Sequence, residues 1–189
     1  MVTGLAPGPC GRCLTDAPAQ CETSSLYVYR GAVREAILGW KLNGDDAALG
    51  WLIQAASDRL QDKIEKDDLL LPVPMPLSRM RRQGRHHAAE LCRLMAAQVG
   101  CAWDWRVLRR VGQQARQSSL SAKERRRNLR WAFSLNMAQW TGLEKRLGNI
   151  WLIDDIITTG STVHFAAKAL RKTGLDVHVL SLARTIKRV

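Results

Sequence analysis

The stretch Asn149-Ile-Trp-Leu-Ile-Asp-Asp-Ile-Ile-Thr-Thr-Gly-Ser-Thr162 runs four apolar residues into two adjacent aspartates, then into a turn of threonine, glycine and serine. The apolar start reads as a buried strand, and residues 161–174 read as a helix stopped by Gly174. Carboxylates are costly to bury without partners, so two of them where a strand ends call for a reason. Side chains alternate along a strand. Ile150, Leu152 and Asp154 then share one face and Trp151, Ile153 and Asp155 the other, so the acids straddle the sheet instead of forming a compact metal pair. Ligands of parallel α/β sheets sit beyond the carboxyl ends of the strands, which puts Asp154 and Asp155 at the rim of a ligand site. Thr158, Thr159, Gly160, Ser161 and Thr162 offer amides and hydroxyls at a helix N-terminus, a cradle for phosphate. Carboxylates would repel that phosphate unless they serve another part of the ligand, and ribose hydroxyls or a magnesium ion are natural targets. The pattern is neither the GxxxxGK[ST] of nucleotide-triphosphate loops nor the GxGxxG of dinucleotide folds.

Outward from this stretch, strand and helix patterns alternate. Residues 25–31 read as a short strand, and residues 32–42 as an amphipathic helix with Val33, Ile37, Leu38 and Leu42 on one face. Asn43-Gly44-Asp45 stops that helix and caps a second, over roughly residues 46–64. LLLPVPMP, residues 69–76, begins as a buried strand and is forced into an extended exit by its prolines. A basic turn over residues 78–85 precedes a helix over about 87–99. Residues 105–110 and 131–135 are strand-like and flank a polar segment, 111–128, with few apolar anchors; residues 139–149 are a connector and 175–185 a last strand. This alternation implies an α/β fold with a parallel sheet.

The 189 residues, 46% of them hydrophobic, suit one domain or one domain with a small appendage. No apolar run approaches the ~18 residues of a membrane span, and no basic-then-apolar leader opens the sequence. Five cysteines, two of them (Cys92 and Cys101) in or near a helical pattern, argue against a disulfide framework and for a reducing cytoplasm. Charge is concentrated. Residues 1–78 hold 7 basic and 10 acidic residues, residues 79–130 hold 14 and 3, and residues 131–189 hold 8 and 4. An excess so local asks for an anionic partner. Of seven tryptophans, Trp40, Trp51 and Trp151 fall on apolar faces, whereas Trp103, Trp105, Trp131 and Trp140 flank the basic stretch and are candidates for stacking on bases. His164 and His178 read as packed.

The strand, the two acids and Thr-Thr-Gly-Ser-Thr resemble the phosphoribosyl-pyrophosphate (PRPP) loop of type I phosphoribosyltransferases. CGRC, YRGAVREAILGWKLNGD, LPVPMPLSRMRRQGR and QARQSSLSAKERRRNLRWAF precede it in order, and the full set resembles the ComF/GntX-like family, phosphoribosyltransferase-like proteins linked to natural transformation and DNA utilisation. The resemblance implies a type I phosphoribosyltransferase-like parallel sheet flanked by helices over residues 26–189, behind a truncated cysteine-containing segment over residues 1–25. It implies that Thr158, Thr159, Gly160, Ser161 and Thr162 bind the 5′-phosphate of PRPP or a nucleotide. Asp154 and Asp155 would be the catalytic pair on the ribose, with Mg2+ accompanying PRPP. Val73 and Pro74, through Arg79 and Arg82, would form the pyrophosphate loop. Residues 112–128 occupy the place of a hood closing over the substrate, with Gln117, Ser121, Arg125 and Asn128 matching the family block. Family members open with a zinc finger of several cysteine pairs, but Cys10, Cys13 and Cys21 are one ligand short of a tetrahedral site, so no zinc is expected unless His86, His87 or another chain supplies a fourth. Gln83-Gly84-Arg85-His86-His87 also departs from the family's R-G-F-N-Q.

Two functions stay open. One is a cytoplasmic binding protein that retains PRPP binding and handles single-stranded DNA through Arg125, Arg126, Arg127 and Arg130, with a competence helicase as a further partner. The other is an active phosphoribosyltransferase moving phosphoribose from PRPP to an amine or base. A nucleotide sensor is a weaker third. The basic stretch favours the first and the intact loop the second or third.

Overall fold

A computed structural model describes residues 17–111, 129, 131–143 and 148–186. In chain order, β1 (Glu22–Val28) leads into α1 (Gly31–Leu38), whose end widens into a π-helical turn over Gly39–Asn43. Then come α2 (Asp46–Gln54), α3 (Ser57–Gln61), β2 (Leu69–Pro72), α4 (Leu77–Gln83), α5 (His87–Val99) and a two-residue β3 (Ala102–Trp103). β4 (Leu108–Arg110), β5 (Phe133–Leu135) and α6 (Met137–Trp140) precede β6 (Ile150–Ile157), α7 (Ser161–Leu170) and β7 (Val177–Arg184).

Five strands form a parallel sheet in the order β1-β7-β6-β2-β3, and β4 and β5 pair as a separate antiparallel ribbon. The continuous apolar runs of β2 and β6 are what a sheet covered on both faces requires. One face packs Trp151, Ile153, Leu70 and Leu180 under Ile37, Trp40, Leu52, Leu91 and Met95 from α1, its π-helical turn, α2 and α5. The opposite face packs Ile150, Leu152, Leu71 and Val179 against Val163 and Ala167 of α7 and against Leu108, Phe133 and Trp140 of the ribbon and α6. Both the expected fold class and the expected alternation along β6 are therefore found. β1 runs across the division expected at residue 25.

Several local expectations are corrected. The first helix does not carry its apolar face through Leu42. The π-helical turn takes in extra residues and turns the chain, so Trp40 is fully buried and Leu42 is 76% exposed. The second helix breaks at Ala55–Ala56 into α2 and α3. The expected basic turn is instead the helix α4, ended by Gly84 with φ 67°. Of the tryptophans, Trp51 is exposed where burial was expected, while Trp140 is buried and Trp103 packs against the core, which removes both as stacking platforms. Trp105 and Trp131 are exposed. Among the described residues no helix is long and apolar enough to cross a membrane.

Candidate functional site

β6 does not stop at its acids. It continues through Ile156 and Ile157, so Asp154 and Asp155 stand within the last turn of the pleat, half-buried, with Asp154 opposite Ser181 of β7. The Asp155 amide donates to Asp154 Oδ1 (2.9 Å) and the Ile156 amide to Asp155 Oδ1 (2.6 Å), so each carboxylate occupies the backbone donor of the next residue. The local chain is thereby pinned in the shape that separates the two acids.

The two are electrostatically unlike. Asp155 is paired with Lys41, whose Nζ lies 2.5 Å from Oδ2. Lys41 comes from the π-helical turn, and insertions of this type commonly aim a side chain at a site. Asp154 is pushed up to about 7, first by desolvation and then by the neighbouring Asp155 charge, against the opposing fields of Lys41 and Arg79. Adjacent carboxylates in unlike electrostatic surroundings are the arrangement by which a site separates an acid from a base.

Beyond β6, Thr158 and Thr159 are exposed, and Gly160 (φ 74°) takes the left-handed conformation that lets α7 start at Ser161. Thr159 Oγ1 accepts from the Ser161 amide (3.4 Å) and donates to Ser161 Oγ (3.3 Å). The turn thus gathers hydroxyls and first-turn amides beside the acids, as a phosphate cradle needs.

Val73 and Pro74 are buried and follow β2 directly, with the Val73 amide bonded to Ile153 O at 2.9 Å. Arg79 and Arg82 lie exposed on α4, and the field of Arg79 reaches Asp154. The structure thus brings Arg79, Asp154, Asp155 and the 158–162 turn toward one end of the sheet. Arg125, Arg126, Arg127 and Arg130, the hood residues Gln117, Ser121 and Asn128, and Cys10 and Cys13 lie outside the described residues.

Sequence reasoning missed Lys41, which was read only as part of an amphipathic helix. It also missed the network beside it. Arg85 binds both oxygens of Glu90 (2.9 and 2.8 Å) and Asp46 (2.5 Å), and Trp40 Nε1 donates to Glu90 Oε2 at 3.3 Å. His86 caps α5 by accepting from the Ala89 amide (3.1 Å). His87, 3% exposed, stands edge-on to Trp40 with ring centroids 4.9 Å apart, and burial holds its pKa below the usual imidazole value. The Gly84–His87 departure therefore builds the wall next to Lys41. The signal that could have found Lys41 was its place in the quoted stretch YRGAVREAILGWKLNGD, one of the blocks that carry the family resemblance.

No family model matches the chain. A DNA utilization protein YhgH of Salmonella typhimurium is 33% identical over 184 residues, 94% of this chain and 78% of that protein. Competence protein F of Haemophilus influenzae is 30% identical over 181 residues, 93% of this chain and 78% of its own length, and competence protein ComFC of Bacillus subtilis is 27% identical over 160, 85% and 62% respectively. Among solved structures, an adenine phosphoribosyltransferase of Leishmania tarentolae matches 76% of this chain and 73% of its own at a TM-score of 0.43 and 10% identity. One-third identical to a relative over 94% of its own residues and 78% of that relative's, the chain belongs to the ComF/GntX-like family.

Proposed function

We propose that this protein binds PRPP or a related phosphoribosyl ligand at the end of β6 and acts on single-stranded DNA during DNA uptake and utilisation. The observation that carries the ligand reading is the junction of β6 and α7. It sets two half-buried carboxylates with different partners beside a turn of hydroxyls at the start of a helix. In this reading the turn takes the 5′-phosphate and the carboxylates accept the ribose hydroxyls. Hard oxygen donors suit magnesium, and Asp154, lacking the lysine that Asp155 has, fits a shared ion that would neutralise the pyrophosphate when bound. Arg79 and Arg82 are the groups offered to the remaining phosphates. The DNA half rests on the relatives' names and on the basic stretch.

Isothermal titration with PRPP and magnesium tests the ligand reading. Replacing both Asp154 and Asp155 by Asn is expected to weaken PRPP at least about tenfold with the circular dichroism spectrum unchanged. Lys41→Met, which strips Asp155 of its counter-ion, is expected to weaken it by less. Equal affinity in the double variant and the parent would remove the acids from the site. A second reading, turnover of PRPP, is favoured by one feature, the raised pKa of Asp154 beside the lysine-paired Asp155. Pyrophosphate release above the rate of the double variant is its measure.

A further inference from the structure

Among the described residues, seven large apolar side chains are exposed, and four of them flank one small element. Trp105 (57%), Val111 (41%), Trp131 (78%) and Met137 (56%) lie at the ends of the β4–β5 ribbon. Its register shows how they are placed. Arg106 O accepts from Asn136 Nδ2 (3.1 Å) and Val107 O from the Asn136 amide (2.8 Å), which sets Trp105 and Met137 at one end. The Val111 amide donates to Ala132 O (2.9 Å), which sets Val111 and Trp131 at the other. Between the ends lie five residues, about 15 Å of extended chain.

The ribbon is a firm support. Val107, Leu108, Ala132 and Phe133 are buried against α7 and the sheet, and the Arg110 guanidinium lies 5.2 Å from the Phe133 ring centre. Next to Trp105, Asp104 holds Arg106 through both carboxylate oxygens and its amide, which fixes the bend. The ribbon buries its underside and leaves the Trp105 and Trp131 side chains largely exposed.

Charge selects the partner. From Trp105 to Trp131 the sequence carries nine arginines and lysines and one acid, Glu124. Protein-binding surfaces are depleted of charge at their centres. Separated aromatic rings within a strongly basic stretch of sequence are instead the pattern of single-stranded nucleic-acid grooves, where bases stack in a sequence-tolerant way. We propose that the β4–β5 ribbon is a base-stacking platform for single-stranded nucleic acid, with Trp105 and Trp131 as its two stacking rings and Arg109, exposed between them, facing the backbone. This rests on the nucleic-acid half of the reading above and is independent of the phosphoribosyl site.

The test uses the full chain, a single-stranded oligothymidylate, and two readouts, anisotropy of the labelled strand and quenching of tryptophan fluorescence. Stacking does not depend on counter-ion release, so its contribution survives at about 300 mM salt. The Trp105→Ala/Trp131→Ala double variant is expected to lose at least about tenfold in affinity at that salt and to lose most of the quenching. Trp105→Phe/Trp131→Phe is expected to keep most of the affinity, which separates stacking from simple loss of a side chain. Both sites are exposed, so circular dichroism should be unchanged. If the parent binds and the alanine variant binds and quenches like it, the platform is wrong while the nucleic-acid reading stands. If the parent does not bind the strand at any salt, both fall and the ribbon is left to a protein partner.

Discussion

Asp154 and Asp155 are neighbours in sequence and differ in almost everything else. Asp155 has a lysine at 2.5 Å; Asp154 has a raised pKa of about 7 because burial and its neighbour's charge both penalise its ionised form. A carboxyl whose folded pKa lies above its unfolded value contributes stability while protonated and loses it as pH rises through the folded pKa. The parent is therefore expected to lose stability from about pH 4, the ordinary carboxylate value, up to about pH 7, at most about 1.4 kcal/mol per pH unit from this group, with no further loss from it above about pH 8. Asp154→Asn cannot ionise and should flatten that part of the pH profile of urea unfolding. An equally steep profile in the variant would remove Asp154 as the cause. The pair itself was legible in the sequence, since two acids after an apolar strand have few uses. Their inequality was not. It depends on Lys41, more than a hundred residues away, and on a π-helical turn that keeps Trp40 buried and turns Leu42 outward.

At the level of elements, the central strand is anchored at the end far from the site. Asp68, 1% exposed, accepts from the Asn149 amide (2.7 Å) on Oδ1, and from the Trp151 indole (2.9 Å) and the Glu65 amide (2.9 Å) on Oδ2. It closes the entry of β2 onto that of β6. Asp68→Ala strands three donors, and a loss of about 2–4 kcal/mol is expected in urea unfolding. Asp68→Asn should recover only part of this, because its amide turns a donor toward either the indole or a backbone N–H. Because the anchor lies at the opposite end of β6 from residues 158–162, PRPP affinity of the folded variant should be unchanged. A variant as stable as the parent would show that the three bonds are not what fixes β6. The strongly patterned elements β6, β7, α5 and α7 could be read from sequence because their apolar periodicity is set by the sheet they cover. α4 could not, since SRMRRQ has no apolar face to announce a helix. The ribbon also could not: its two strands have three residues each, too short for a period to show.

For the whole molecule, the decisive feature is an uneven charge. Fourteen of 29 basic residues lie in residues 79–130 against three acids, while the first 78 residues are net negative. The described part of that stretch spends some of its charge internally, through Arg85 on Glu90 and Asp46 and Arg106 on Asp104. Arg79 and Arg82 are the two proposed to meet the phosphoribosyl ligand. What is left includes Arg109 and the run Arg125-Arg126-Arg127, which a small ligand cannot absorb. If about four to six of these groups meet phosphates of a single strand, log K falls against log salt with a slope of about −3 to −4. Replacing Arg125, Arg126 and Arg127 by Ala is expected to flatten that slope by up to about 2 units and to weaken binding evenly across sequences. The indoles of the ribbon should be indifferent to this change, leaving the affinity at about 300 mM salt nearly intact. A filter-binding series from about 50 to 300 mM salt decides the matter. A triple variant with the parent's slope would mean that these arginines face away from the strand, and the electrostatic part of the DNA reading would have to be assigned to other residues or abandoned.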